Sequence, residues 1–247
     1  MIFGLIGGKS NNEIISNKIE QHLVSLVQKE KPVILFCPYA AINSMDKSIS
    51  RFHKLMENIN CEIIDLTLDN IFDFENLLIK SDILYVAGGH CDDLVNIFKE
   101  YNLDKILEKH INDNIIYAGS SAGAMLVCKA AMGDKYMYSD NFSNHNYKMV
   151  DCLNLLNITI SPHYQNEDLI VYNDELKLYD CDAFGIEEDT MVVIDNHKFY
   201  VVKEYKNKSL YYFNKDENYI MIPLYEGEVY EKNSSFRAWR NILWYCL

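Results

Sequence analysis

The chain has 247 residues, 49% of them hydrophobic and 24% charged, enough to bury one full globular core. A formal charge of −13 with no cluster of Lys and Arg excludes a phosphate-neutralising surface, so neither nucleic acid nor a membrane is an expected partner. Seven cysteines stand singly, at 37, 61, 91, 128, 152, 181 and 246; without a Cys-x-x-Cys spacing they point to reduced thiols in the cytoplasm and to no metal site.

Met1–Ile6 is apolar over only about six residues, too short for a signal peptide or a membrane span, and reads as a first strand at Ile2–Ile6. Gly7-Gly8-Lys9-Ser10 looks like the end of a P-loop, but Phe3 stands where that loop needs its first glycine. A glycine turn lining a cleft is the better reading. Further strands are expected at Val33–Phe36, Glu62–Leu66, Ile83–Ala87 and Ile115–Ala118. Helical patterns lie between them, near 11–29, 43–59, 71–80, 91–110 and 122–132, with Asn11 or Asn12 and Asn43 or Ser44 as N-caps. Strands alternating with helices imply parallel pairing by right-handed crossovers, hence a three-layer α/β/α sandwich with a mostly parallel sheet.

The last third changes character. Asn157–Ser161, Ala183–Ile186 and Met191–Ile194 are extended. Phe199–Tyr205, Leu210–Phe213 and Tyr219–Leu224 suggest an antiparallel β appendage, with turn signals at Asp195-Asn196 and Asn214–Asn218. Four prolines and ten glycines, with no linker or repeat, favour a single domain. Its core would span about 1–198 and its β-rich appendage about 199–247.

Chemistry concentrates at the strand ends. The strand ending at Ala118 runs into Gly119-Ser120-Ser121-Ala122-Gly123, a Gly-x-Ser-x-Gly nucleophile elbow that lifts the Ser121 hydroxyl above the sheet edge. Gly88-Gly89 follows the strand before it, and the amides of Gly89 and Ala122 are natural donors for an oxyanion hole. His90 adjoins those glycines and is expected to line the site. His163, in Pro162-His163-Tyr164, follows a strand on the same edge and is a fair general base. His22, His53, His110, His145 and His197 fall in surface helices or turns. Gly185-Ile186-Glu187-Glu188-Asp189-Thr190 offers three carboxylates at one strand end, any of which could orient a histidine. Asp140, about twenty residues after the serine, is a fourth candidate if the helix after the elbow returns it to the cleft. Serine, histidine, then acid is not the Ser, acid, His order of ordinary α/β-hydrolases.

Taken together, Leu5-Ile6-Gly7-Gly8, Ala87-Gly88-Gly89, Gly119-Ser120-Ser121-Ala122-Gly123-Ala124, Pro162-His163-Tyr164 and Gly185–Thr190 resemble the peptidase E and cyanophycinase family of serine peptidases. Its fold is like that of class I glutamine amidotransferases, and the likeness covers roughly residues 1–195. The resemblance implies Ser121 as nucleophile, His163 as base, Glu188 as acid, Gly89 and Ala122 at the oxyanion hole, and no cofactor. Gly88, His90, Glu187 and Asp140 remain as pocket residues or alternative acids. The expected partners are a small peptide substrate and a second copy of the chain as a homodimer. Relatives that cleave after aspartate or digest cyanophycin set basic residues near the substrate. Here His163 is followed by Tyr164-Gln165-Asn166-Glu167-Asp168, and arginine occurs only at 51, 237 and 240, so the scissile bond stays open. The alternative is a non-catalytic binding protein that keeps the elbow as scaffold.

Overall fold

The structure, a computed structural model, describes residues 1–10, 16–134, 147–165 and 168–231. The chain begins β1 (Ile2–Ile6), α1 (Lys18–Ser25), β2 (Val33–Cys37), α2 (Met45–Met56), β3 (Glu62–Asp65), α3 (Phe74–Lys80), β4 (Ile83–Val86). It continues α4 (Cys91–Glu100), α5 (Leu103–Lys109), β5 (Ile116–Ser120), α6 (Ala122–Leu126), β6 (Cys128–Asp134), β7 (Tyr147–Asp151), β8 (Leu156–Pro162). The last described third holds α7 (Asp168–Leu176), β9 (Asp182–Ile186), β10 (Thr190–Asp195), β11 (Lys198–Lys203), β12 (Leu210–Asn214), β13 (Ile220–Pro223) and β14 (Val229–Glu231).

The α/β fold with parallel central strands is as expected. Eight strands form a first sheet in the order β14-β11-β10-β1-β5-β4-β2-β3, parallel from β1 to β3. Its central strands β1, β5, β4 and β2 are buried on both faces, and their alternation sorts side chains into two cores. Ile34, Phe36, Ile83, Tyr85, Ile116 and Ala118 face α1 and α2, meeting Ile19, Leu23, Phe52 and Met56. Leu35, Leu84, Val86 and Tyr117 point the other way, against Phe74, Leu78, Leu94, Phe98 and Leu107 of α3, α4 and α5. That second core is shared with another sheet through Ile160, Phe184 and Tyr212. The other sheet has six strands in the order β13-β12-β9-β8-β6-β7, with β6, β8 and β9 parallel. Its outer face carries Ala130, Met132, Ala183 and Phe213 and is covered by Tyr172 and Leu176 of α7.

Four local differences have physical causes. The helix expected over 122–132 stops at Leu126, and Cys128–Asp134 is a strand instead. Its small residues alternate between the two cores, Cys128 and Ala131 to one and Ala130 and Met132 to the other, so sheet packing overrides the helix preference of alanine. The helix expected over 91–110 is split by Asn102 at φ 57, a left-handed conformation that Asn tolerates. Ser44 does precede α2, but without a side-chain hydrogen bond to its amides, and Asn11 and Asn12 lie outside the described residues. The β-rich tail is shared out: β11 and β14 extend the first sheet, while β12 and β13 extend the second.

Candidate active site

Three strand ends converge at one edge of the paired sheets. At the end of β5 the backbone reverses through Ser121, at φ 52 and ψ −114, a region sparsely populated by any residue with a side chain. Its flanking glycines give the turn the room it needs. A Cβ on Gly119 would lie 2.2 Å from the Gly123 carbonyl oxygen, and one on Gly123 would lie 2.2 Å from that of Val86. The Ser121 N–H donates to Ile6 O at 2.9 Å and its carbonyl accepts from Met125 N at 3.0 Å, which ties the turn to β1 and to α6.

His163 comes from the second sheet, one residue past β8, also at a positive φ of 52. Its N–H donates to Gly7 O at 2.9 Å, and the α-carbon of Gly8 lies so close that a Cβ there would sit 2.3 Å from His163 Cε1. The glycine pair after β1 is therefore a rest for the imidazole, consistent with the cleft-lining reading. His163 Nε2 is 2.8 Å from Ser121 Oγ and Nδ1 is 3.0 Å from Glu188 Oε1. An ionised carboxylate can only accept, so the ring proton is assigned to Nδ1, which leaves the Nε2 lone pair facing the serine hydroxyl.

Glu188 sits in the turn between β9 and β10. The hydrogen bond from His163 holds its carboxyl below the usual glutamate range, against burial, which alone would raise it. The three adjacent carboxylates separate fully. Glu187 accepts from Ser209 N at 3.1 Å, Glu188 meets His163, and Asp189 accepts from Ser10. Only Glu188 of this trio reaches the imidazole. Asp140 lies outside the described residues.

The loop from β4 to α4 completes the edge. A Cβ on Gly88 would lie 3.1 Å from the Cβ of Ser121, so this glycine flanks the serine directly. Gly89 and His90 are exposed, and His90 N donates to Ala40 O at 2.7 Å. Ala122 is buried and opens α6, where its N–H has no intrahelical acceptor by position. The remaining described histidines are placed elsewhere: His22 meets Tyr200, His53 meets Asp65, and His197 lies in an exposed turn. His110, expected at the surface, is buried between Glu75 and Asp113, whose hydrogen bonds raise its pKa.

A charged cluster that begins one residue past Gly8 had no sequence signature. Lys9 Nζ is 2.9 Å from Glu20 Oε2 and 2.6 Å from Glu204 Oε1. Burial pushes the Glu20 carboxyl above its usual range, and Lys9 opposes that. Burial would lower the Lys9 pKa, but the two carboxylates raise it. Glu204 is 195 residues from Lys9, and nothing in a charged residue at a strand end announces such a partner.

The sequence model of peptidase family S51 matches residues 3–202. The chain is 27% identical over 168 residues to the uncharacterised peptidase YgaJ of Bacillus subtilis, covering 67% of this chain and 69% of that one. It is 24% identical over 214 residues to a protein named peptidase E from a Nostoc species, with 81% of each covered. In three dimensions it resembles the crystal structure of a peptidase from an acI-B1 Actinobacterium, with a TM-score of 0.69 and 18% identity over 94% of this chain and 96% of that one.

Proposed function

This chain belongs to peptidase family S51 and is a serine peptidase, and we propose that Ser121, His163 and Glu188 form its catalytic triad, hydrolysing short peptides or a peptide-like amide. The observation that carries this reading is the unbroken sequence of contacts from Ser121 Oγ through both ring nitrogens of His163 to Glu188.

The contacts of Ser121, His163 and Glu188 support an acyl-transfer sequence. His163 Nε2 takes the Ser121 proton as Oγ attacks the carbonyl carbon, and the tetrahedral intermediate places its negative charge on the carbonyl oxygen. The amides of Gly89 and Ala122 stabilise that oxyanion. His163 then gives its proton to the leaving amine, leaving an acyl-Ser121. Water, deprotonated by the same imidazole, releases the acid and restores the serine. Glu188, acidified by its bond to His163, remains ionised and stabilises the transient imidazolium.

A fluorophosphonate probe tests this without knowledge of the substrate. Ser121 is expected to be phosphonylated in the wild type, with Ser121→Ala unlabelled at the same thermal stability. A wild type that stays unlabelled refutes the triad. A dipeptide and tripeptide library then defines the scissile bond.

A further inference from the structure

The triad accounts for Glu188, yet the side chain next to it is the more deeply buried. Asp189 is 3% exposed and adopts φ 61. Its carboxylate accepts from Ser10 N at 3.1 Å and from the Ser10 hydroxyl, with Lys208 Nζ at 3.7 Å from Oδ2. Its own N–H donates to Gly8 O at 2.8 Å, and its carbonyl accepts from Glu204 N at 2.9 Å. Gly7 N in turn donates to Thr190 O at 3.0 Å. The loop 7–10 is thus bonded along its length to the turn that carries Glu188. That same loop meets His163 twice, through Gly7 O and through the face of Gly8.

We propose that Asp189 is a positioning residue: by clamping the loop 7–10 to the turn 187–190 it holds the imidazole of His163 and the carboxylate of Glu188 in register. The proposal rests on the triad described above. Base and acid come from different strand ends, β8 and β9; His163 itself stands at positive φ, and Glu188 is followed by Asp189 at positive φ. Neither strand end alone determines the gap between them. The loop after β1 touches both, and the Asp189 side chain fastens it to the turn that carries Glu188. Misplacing a reacting group by about 1 Å can cost about 10²-fold in rate, so a clamp of this kind has a measurable effect.

The test is the second-order rate of Ser121 labelling by a fluorophosphonate in the full chain. Asp189→Ala is expected to label about 10²-fold more slowly. Asp189→Asn keeps an acceptor for Ser10 N and tolerates the positive φ, so it should recover to within about tenfold of wild type. Ser10→Ala removes the hydroxyl from the other side of the clamp and should slow labelling about tenfold even if Asp189→Ala fails to fold. In a Glu188→Gln background the Asp189→Ala step should shrink to less than about threefold, because the pair it serves is already broken. A full loss in that background, or wild-type rates for Asp189→Ala or for Ser10→Ala, overturns the positioning role. An unlabelled wild type instead removes the triad itself, so the two failures are distinct.

Discussion

Ser121 and Ser120 are neighbours with opposite surroundings, which makes the nucleophile testable one oxygen at a time. Ser120 closes β5, while only Ser121 Oγ lies against His163. Ser121→Ala should lower kcat by about 10⁴–10⁶-fold with little change in stability, and Ser120→Ala should remain active. The reverse pattern would place the elbow one residue too late. Glu188→Gln should favour the wrong imidazole tautomer and reduce kcat by about 10²–10⁴-fold, with a smaller effect on KM. Glu187→Gln, whose carboxylate is engaged with Ser209 N, should stay within about tenfold of wild type. If Asp140→Asn is crippling and Glu188→Gln is not, the acid lies between serine and histidine in the chain. Because the hydrogen bond from His163 holds the Glu188 carboxyl below its usual range, that group stays ionised as the pH falls into the ordinary glutamate range. The acid limb of kcat/KM should therefore fall with a slope of one; a slope of two would mean that both groups titrate together. Ser121 and His163 were legible in the sequence because each is announced by its neighbours, glycines in one case and a strand end in the other. The contact of Asp189 with Ser10 was not, since 179 residues separate two side chains that are polar and ordinary.

Among the elements, the turn from β5 into α6 is the one that tolerates least. Gly123→Ala would drive a methyl group to 2.2 Å from the backbone of β4, and that neighbour has no side-chain freedom to yield. The expected cost is about 1–3 kcal/mol of stability, measurable as a lower denaturation midpoint, together with lost activity as the elbow shifts. An unchanged midpoint would mean that β4 and α6 can separate at no cost. The strands from β1 to β5 were legible as apolar runs, and their ends matched to within one or two residues. Cys128–Asp134 was misread because a short run of Cys, Ala and Met carries a helix preference locally. Only the pairing of β6 with β7 and β8, which is non-local, makes it a strand. The break at Asn102 is a subtler case: an Asn inside an amphipathic pattern does not declare whether it continues the helix or reverses it.

On the scale of the whole molecule, the alternation of strands and helices revealed the first sheet but not the second. Nothing local distinguishes β8 and β9 from further members of one continuous sheet, and the β-rich tail gave no sign that it would divide between two. That division has a consequence for how the protein fails. Ser121 stands at the end of β5 in the first sheet, while His163 follows β8 in the second, and Glu188 lies where the chain crosses from β9 back to β10. The Ser121 hydroxyl and the His163 imidazole are thus joined across a seam closed by side chains such as Ile160, Phe184 and Tyr212. Partial openings need less free energy than complete unfolding, and an opening along this seam would disconnect the serine while leaving every strand paired. Phosphonylation of Ser121 should accordingly disappear at a lower urea concentration than the far-ultraviolet circular dichroism, so that the chemistry acts as a gauge of whether the two sheets are docked. Coincident transitions would mean that the sheets part only when the entire chain unfolds.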